Sequence, residues 1–410
     1  MSKLKTVKVG EVSEQIRGVS YIPSDSRDKP ENGFVPVLRA HNIQEDGLND
    51  DSLVFVKSSR INSRQFINKG DIVICASSGS KALVGKSAQA KSDAHYSFGA
   101  FCKVIRPIGI HPEYLGYFFQ SNRYRNEISA LSTGTSINNL KNEHLNNLTL
   151  PLPPLEVQKR IAATLDSISN LIRLRKRQLE ELDLLVKSRF VEMFGDPVSN
   201  PYKWPIVNIT SILRGKASNG FFAKRDAYND VGNVSILGVV NIVNRMYSQI
   251  DNLPRTNGSI TDIKKYCVEY GDILFCRSSL VAEGIGKASI VPSNTPMNTL
   301  FECHVIRLPL SLKLCVPEYI QVFTTTDFFR QQILSQSKTS TMTTISQEGI
   351  LKSKIILPPL TIQKGFATFI EQIGKTKLSV QQSVLEMVNL QESLMKIYFS
   401  KVLENGNNDT

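Results

Sequence analysis

The sequence predicts an α+β fold with pseudo-two-fold internal symmetry, in which two β-rich domains are separated by two long helices. Three observations indicate this fold. The chain repeats itself with a period near 200 residues, each repeat opens with short β-branched runs between turn residues, and each repeat closes with a heptad pattern. A chain of 410 residues with 41% apolar residues is long and apolar enough for two or three buried cores.

The repeat is visible as residue pairs at a constant offset. Gly70-Asp71-Ile72 recurs 201 residues later as Gly271-Asp272-Ile273, and Val104-Ile105-Arg106 recurs as Val305-Ile306-Arg307 at the same offset. From Pro112 onward the offset is 205 and holds to the end of the repeat. Matches over dozens of residues indicate a tandem duplication.

Each repeat has a β-rich part and a helical part. Residues 1–150 and 198–356 are rich in β-branched residues and in turn pairs such as Asn32-Gly33 and Asn257-Gly258, which predicts mainly β domains. Residues 151–197 and 357–404 are predicted to be helices, each introduced by a Pro-Pro pair, and residues 405–410 form a polar tail.

The two helical segments carry apolar residues at alternating spacings of four and three. In the first segment these residues are Ile161, Leu165, Ile168, Ile172, Leu179, Leu182, Val186 and Met193. In the second they are Phe366, Ile370, Ile373, Val380, Val384, Met387, Leu394 and Tyr398. A period of 3.5 over five heptads favours a coiled coil in which the two helices are each other's partner. The alternative is two separate amphipathic helices, each lying on its own domain.

Composition restricts the class of protein. Lys and Arg total 49 against 37 Asp and Glu, so the formal charge is +12, which suits a polyanionic partner such as DNA, RNA or a membrane surface without proving one. No apolar run reaches the ~20 residues of a membrane span and no secretory signal is visible, so we expect a cytoplasmic protein with no membrane contact. The six cysteines form no CxxC pair, which predicts buried thiols and no metal site.

No catalytic motif is found in the sequence. The segment from Gly79 to Ser87 resembles a phosphate-binding loop, but five residues separate its glycines where that loop has four. No nucleophile elbow, kinase signature or His–Glu zinc motif is present, so we predict a protein without catalytic residues.

The motif that introduces each helix resembles a known family. The first copy reads Leu150-Pro151-Leu152-Pro153-Pro154-Leu155-Glu156-Val157-Gln158, and the second reads Ile356-Leu357-Pro358-Pro359-Leu360-Thr361-Ile362-Gln363. Together with the duplication and the length, this is similar to the DNA specificity subunit of type I restriction-modification enzymes. The second copy departs from the first at Thr361 and Gly365, which replace Glu156 and Arg160, so we expect the helix start or a subunit contact to differ there.

The resemblance implies how such a protein works. Each β-rich domain would be a target-recognition domain that reads one half of a split, asymmetric site on double-stranded DNA. The helices would pair antiparallel, set the distance between the halves and dock two methylation subunits, which modify adenine at N6. S-adenosylmethionine, ATP and Mg would be bound by the methylation subunits and the restriction/translocase subunits, and no cofactor by this chain. The spacer and docking residues would be Pro154, Gln158, Pro359 and Gln363 together with the apolar residues of the two heptad patterns.

DNA contacts are predicted in loops that offer hydrogen-bonding side chains. In the first domain the candidates are Arg39, His41, Asn42, Ser78, Lys81, Lys86, Thr133 and Thr135. In the second they are Asn241, Asn244, Arg245, Arg277, Ser279, Lys287, Thr339 and Thr341. Lys86 and Lys287 occupy the same position in the two copies and suit phosphate contacts, which carry no sequence information. Two other functions stay open: a coiled-coil adaptor between proteins, and a DNA-modifying enzyme with an unrecognised site.

Overall fold

The chain consists of two compact units. A computed structural model describes residues 5–44, 47–80, 82–93, 95–132, 139–339 and 342–400. Unit 1 comprises Met1–Arg177 and Gln381–Thr410, and unit 2 comprises Gln178–Val380. Four predicted DNA contacts and the predicted tail lie outside the described residues: Lys81, Thr133, Thr135, Thr341 and 405–410.

Unit 1 contains short strands, short helices and parts of the two long helices. Its strands in the described residues are β1 (Thr6–Lys8), β2 (Ser13–Arg17), β3 (Ser26–Arg27), β4 (Phe34–Leu38), β5 (Val54–Lys57), β6 (Ile72–Cys75), β7 (Ser87–Gln89), β8 (Ser97–Phe98), β9 (Cys102–Pro107) and β10 (Thr149–Pro151). Its helices are α1 (Pro112–Gln120), α2 (Asn122–Ser132), α3 (Asn142–Asn146) and the first part of the 40-residue α4 (Leu155–Phe194), together with the last part of the second long helix.

Unit 2 repeats this order of elements. Its strands in the described residues are β11 (Ile206–Asn208), β12 (Ser218–Asn219), β13 (Val234–Leu237), β14 (Arg255–Thr256), β15 (Ile273–Cys276), β16 (Ser278–Ser279), β17 (Ala288–Ile290), β18 (Thr299–Phe301), β19 (Val305–Leu308), β20 (Lys338–Thr339), β21 (Thr343–Thr344) and β22 (Lys354–Ile356). Its helices are α5 (Val239–Ile242), α6 (Ile260–Tyr266), α7 (Pro317–Phe323), α8 (Asp327–Gln336), α9 (Gln347–Leu351) and the first part of the 40-residue α10 (Leu360–Phe399), together with the last part of α4.

Within the described ranges, three sheets of unit 1 have counterparts in unit 2, as the repeat predicts, and unit 2 has in addition the three-stranded sheet β16-β21-β20. An antiparallel sheet β2-β9-β6-β7 in unit 1 corresponds to β12-β19-β15-β17 in unit 2. A mixed sheet β3-β5-β4-β8 corresponds to β14-β13-β18, and in both the last pair is parallel. The two-stranded sheets β1-β10 and β11-β22 complete the match. The fold class is therefore α+β with a tandem repeat, as predicted.

The pairing register differs between the repeats by two residues. In unit 1, Ile72 lies opposite Ile105, so the constant offset of 201 predicts Ile273 opposite Ile306. The structure instead places Ile273 opposite Leu308. A shift of two residues keeps every side chain on its own face of the sheet, because side chains alternate with period 2. The hydrophobic pattern of the sequence therefore gives no sign of the shift.

The shared Gly-Asp pair has a structural role in both units. Asp71 is buried and receives two hydrogen bonds from Arg106, at 2.9 Å from Nε and 2.7 Å from Nη2. Asp272 is also buried, but its main partner is Arg214, whose Nη2 lies 2.6 Å from Oδ1. A buried carboxylate needs such a partner to offset its lost hydration. The change of arginine accompanies the register shift of β19.

The long helices pair antiparallel, as predicted, and this is clearest in unit 2. The Nζ atom of Lys377 lies 2.6 Å from Oδ1 of Asp183. Arg189 follows Asp183 in α4 and Phe369 precedes Lys377 in α10, and the guanidinium of Arg189 lies 5.9 Å from the ring centre of Phe369. Rising numbers on one helix thus meet falling numbers on the other.

Within unit 1 the two helices pair in the same way. The Nε2 atom of Gln391 donates to Oγ of Ser169 at 2.6 Å, and Ile161 and Leu165 share a core cluster with Met395. The predicted heptad residues of both helices are buried or half-buried. This packing supports the coiled-coil prediction over two separate helices.

The ends of the long helices enter the domain cores, which the heptad pattern does not predict. Phe190 and Phe194 at the end of α4 are buried with Tyr319 of unit 2, and the ring centres of Phe194 and Tyr319 are 4.7 Å apart. Phe399 at the end of α10 is buried against Tyr114 of unit 1, with ring centres 5.1 Å apart. The aromatic residues therefore fix each helix end to a β-rich core.

Among the described residues, none of the helices has the length and apolar character that a membrane span requires.

Candidate nucleic-acid interface

In unit 1 three loops meet at one edge of the sheets. Backbone hydrogen bonds join the chain after β4 to the chain before β9 (Gly99 N to Leu38 O, 2.9 Å) and the chain after β6 to the same segment (Ala76 N to Phe101 O, 2.8 Å). The start of β7 is adjacent, since Cys75 N donates to a main-chain oxygen there at 2.8 Å. We call residues 39–44, 76–80, 82–86 and 99–101 loop face 1.

Unit 2 forms the same structure from the corresponding loops. Glu302 N donates to Leu237 O and Arg277 N donates to His304 O, at 2.9 and 2.8 Å. Cys276 N again donates to the start of the next strand, at 2.8 Å. We call residues 238–245, 277–287 and 302–304 loop face 2. Among the described candidates, loop face 1 contains Arg39, His41, Asn42, Ser78 and Lys86, and loop face 2 contains Asn241, Asn244, Arg245, Arg277, Ser279 and Lys287, whereas Thr339 lies outside it.

Lys86 and Lys287 connect two of the loops in their units. The Nζ atom of Lys86 donates to Oε1 of Gln44 at 3.2 Å, and that of Lys287 donates to Oδ1 of Asn244 at 2.7 Å. Both lysines are half-buried. Each ammonium group therefore orients an amide side chain of the neighbouring loop, a role that the predicted phosphate contact does not include. Gln44 was absent from the predicted site, and the offset of 201 pairs it with Arg245 and not with Asn244, so the repeat gives no signal for this contact.

Burial contradicts the predicted DNA contacts at Asn42 and Asn241. Asn42 is fully buried and Asn241 is 8% exposed. Their Oδ1 atoms accept from the main-chain nitrogens of Arg39 and Gly238, at 2.8 and 2.9 Å, so each amide closes its own short turn. A polar residue at the end of a strand also suits a turn of this kind, which is why the sequence pattern did not separate the two roles.

The remaining candidates after β4 and β13 lie nearer the surface. Arg39 is half-buried and donates from Nη2 to Ser52 O at 2.7 Å, and exposed His41 has Nε2 3.1 Å from Asp51 O. Asn244 and Arg245 are both exposed, and Asn244 has a positive φ of 60°. A left-handed residue fixes the direction of this turn, and asparagine tolerates that conformation.

Among the described serine and threonine candidates, Ser78 and Ser279 are bound into their loops. Ser78 Oγ accepts from Ser80 N at 3.1 Å, and Ser279 Oγ accepts from Val281 N at 3.3 Å, so the two copies agree. In unit 2 the strands β16, β21 and β20 pair, which places exposed Thr339 in one small sheet with Ser279. Arg277 lies beside them and donates from Nη1 to the carbonyl oxygen of the residue before His304, at 3.1 Å.

In each unit an arginine of a domain helix holds the loop that leads to a glycine–lysine pair, Gly85-Lys86 in unit 1 and Gly286-Lys287 in unit 2. Arg125 of α2 donates to the carbonyl oxygens of Ala82 and Val84, at 3.1 and 3.3 Å. Arg330 of α8 donates to those of Glu283 and Ile285, at 3.1 and 2.5 Å. Because these loops are held by charged donors, their exposed side chains are presented on a fixed backbone.

The glutamine of each helix-start motif has a definite position. Gln158 is 3% exposed; its Oε1 accepts from His111 N at 2.9 Å and its Nε2 donates to Pro153 O at 2.8 Å. Gln363 makes the same two bonds in unit 2, to Val316 N at 2.9 Å and to Pro358 O at 2.7 Å. Each glutamine therefore ties the start of a long helix to the start of a domain helix. Pro154 and Pro359 immediately precede the helices.

The described residues contain no group of three or more His, Cys, Asp or Glu side chains suited to hold a metal ion. All six cysteines are free thiols; Cys75, Cys102, Cys276 and Cys315 are buried, as predicted, whereas Cys267 and Cys303 are only half-buried. Burial raises the pKa of Cys102 and of Cys315 to about 12. A thiol with so high a pKa is a poor nucleophile near neutral pH.

Comparisons with known proteins agree with this architecture. The family model of the type I restriction modification DNA specificity domain matches the chain twice, over residues 1–184 and 201–388. The type I restriction enzyme EcoKI specificity subunit of Escherichia coli (strain K12) is 29% identical over 405 residues, covering 94% of this chain and 86% of that protein. The StySPI specificity subunit of Salmonella potsdam is also 29% identical over 405 residues, covering 97% and 87%.

Solved structures show a similar fold. A chain from a structural study of assembly and conformational transition in the type I R-M system has a TM-score of 0.55 at 18% identity, covering 98% of this chain and all of that one. The type I restriction-modification S subunit from M. genitalium has a TM-score of 0.52 at 13% identity, covering 97% of both chains. Since the family model covers both repeats, the chain belongs to the family of type I restriction-modification DNA specificity subunits.

Proposed function

We propose that this chain reads a split, asymmetric site on double-stranded DNA, with loop face 1 reading one half and loop face 2 the other. One observation carries the proposal: the two faces share a frame but differ in the side chains that they present. The frame includes the lysines 86 and 287, the serines 78 and 279 and the arginines 125 and 330. Readers of different half-sites need this combination, because phosphate contacts and packing are shared while base contacts differ.

The side chains on the faces have the chemistry that base reading needs. Arginine pairs with guanine, and glutamine or asparagine with adenine, through donors and acceptors in the major groove. Loop face 1 offers Arg39 and Gln44, and loop face 2 offers Asn244, Arg245 and Arg277. The net charge of +12 favours association with the DNA backbone.

The antiparallel helices supply the spacing and the docking surface for two methylation subunits in this proposal. The heptad residues face the partner helix, so docking falls to the outward-facing apolar residues. These include Leu171, Leu174, Leu184, Leu185, Val191, Leu378, Leu385, Leu390 and Ile397, each at least 45% exposed. A surface that contacts only water rarely carries this many exposed apolar side chains on two helices, which indicates a protein contact.

The chain itself acts without catalysis in this account. The methylation subunits bind S-adenosylmethionine and methylate adenine N6, and the restriction/translocase subunits use ATP and Mg. The sequence offers no catalytic motif, and the described residues place no reactive thiol or acid–base cluster on either loop face. Isolated, the chain is expected to bind DNA with steep salt dependence and to show no methylation or cleavage.

The test is co-expression with a cognate type I methylation subunit, followed by mapping of N6-methyladenine across the host genome. The expected result is a split motif with one modified adenine in each half. Methylation or cleavage by the isolated chain would support the enzyme alternative instead. A stable complex that binds no DNA, and whose assembly is insensitive to salt, would support the protein adaptor.

A further inference from the structure

We infer that one structural position, held by Phe101 in unit 1 and His304 in unit 2, determines base preference in each half-site. This inference rests on the proposed function and names a contact within it. Phe101 is inferred to contact the methyl group of a thymine, and His304 to form a hydrogen bond with a purine base edge. Neither residue stands out in the sequence as a DNA contact.

The two residues are equivalent in the fold although the sequence offset does not pair them. Cys75 lies opposite Cys102 in unit 1, and Cys276 lies opposite Val305 in unit 2, so the residues just before β9 and β19 correspond. Their carbonyl oxygens also have the same role: that of Phe101 accepts from Ala76 N and that of His304 from Arg277 N, both at 2.8 Å. The offset of 201 would instead pair Phe101 with Glu302, which is why the register shift hides the match.

Phe101 combines a fixed backbone with an exposed ring. Its carbonyl oxygen accepts a second hydrogen bond, from Ser77 N at 3.0 Å, and the next residue, Cys102, is buried in the sheet. Its side chain is nevertheless 69% exposed. A single exposed phenylalanine is common on protein surfaces and carries little weight alone. Here it stands at the junction of the three loops of loop face 1, where an apolar side chain suits the thymine methyl.

His304 occupies the same place with different chemistry. It is exposed, and its Nδ1 atom lies 3.2 Å from Oγ of Ser278. The serine holds the ring through Nδ1, and Nε2 is the second hydrogen-bonding atom of this exposed side chain. An imidazole held in this way offers one directed hydrogen bond, whereas a phenyl ring offers none. The backbone at this position is thus the same in both units, while the side chain that would contact the base differs. Two domains that read different half-sites require this combination.

The experiment uses the full-length chain assembled with its methylation subunit. Phe101→Ala and His304→Ala are compared with wild type by N6-methyladenine mapping and by DNA binding. The matched controls are Ile108→Ala, at the opposite end of β9 and 56% exposed, and Lys313→Ala, an exposed residue beyond β19. Phe101→Ala is expected to relax discrimination at one base pair of one half by about 4-fold, and His304→Ala at one base pair of the other half by about 2- to 12-fold. The controls are expected to keep the wild-type motif.

A second measurement tests the chemistry at Phe101. Each thymine of the affected half is replaced singly by deoxyuridine, which removes only the methyl group. One replacement is expected to weaken wild-type binding about 4-fold and to leave Phe101→Ala binding unchanged. A Phe101→Leu variant, which keeps an apolar side chain, is expected to retain sensitivity to that replacement.

The possible failures separate this inference from the proposed function. If wild type reads a split motif but Phe101→Ala and His304→Ala match their controls, the inference is overturned and the proposed function stands. If the variants lose assembly with the methylation subunit while DNA discrimination is unchanged, the position is a protein contact and the inference is again overturned. If wild type itself gives no split motif, both fail.

Discussion

Replacing Gln158 by leucine tests how the helix-start motif holds a domain to its helix. The leucine has a similar size but can neither accept from His111 N nor donate to Pro153 O, so both main-chain groups lose their partner. A buried polar group left without a partner costs about 1–3 kcal/mol. The bond to Pro153 O is fully buried and that to His111 N is half-buried. The half-buried nitrogen of His111 therefore contributes about 1 kcal/mol and the buried oxygen of Pro153 about 1–3 kcal/mol, so the expected loss of stability is about 2–4 kcal/mol.

The assay is urea denaturation of the full-length chain, combined with amide hydrogen exchange resolved to peptides. The free energy of unfolding of unit 1 is expected to fall by about 2–4 kcal/mol, with faster exchange in α1 and at the start of α4. Gln363→Leu is expected to do the same to α7 and α10 in unit 2, because its two bonds are equivalent. Gln120→Leu, at an exposed position, is the control and should change stability by less than ~0.5 kcal/mol. Equal stability of Gln158→Leu and Gln120→Leu would refute the role given to the buried amide.

Three further predictions follow from named contacts. Lys287→Met removes the bond to Asn244 and is expected to alter preference in one half-site without changing the salt slope of DNA binding; a slope reduced by ~1 would instead identify a phosphate contact. Leu165→Ala, at a fully buried position, should destabilise unit 1 by about 2–5 kcal/mol in denaturation, whereas Leu174→Ala, at a 55% exposed position, should change stability little. Cys102 and Cys315, whose pKa is about 12, stay protonated below that pH, so iodoacetamide at pH 8 should label them only after unfolding; rapid labelling of the native chain would contradict their burial.

The sequence predicts those features that depend on periodic patterns. The constant offset predicted the repeat, and the spacing of residues such as Leu165 and Ile370 predicted that the two helices pair as a coiled coil, because burial of a helix face leaves a 3.5-residue period. Their antiparallel orientation was implied by the family resemblance and not by the spacing. Gln158 and Gln363 stood out as a shared motif, although their buried bonds could be learned only from the fold.

Other features have no signal in one sequence. The two-residue register shift preserves the faces of the sheet, so Phe101 and His304 could not be paired by counting. Asn42 and Asn241 have side chains that serve equally in a turn or in base reading, and only burial separates the two roles. The aromatic ends of the long helices continue an apolar pattern, and nothing in that pattern indicates that Phe194 enters a domain core.

The central claim is that each unit reads one half of a split site while the helices set the gap between the halves. The most direct test replaces residues 1–150 with the corresponding segment of a family member of different specificity, in the full chain with its methylation subunit, and maps N6-methyladenine. One half of the motif is expected to change to that of the donor, while the other half and the gap length stay the same. A change in both halves, or in the gap, would contradict it.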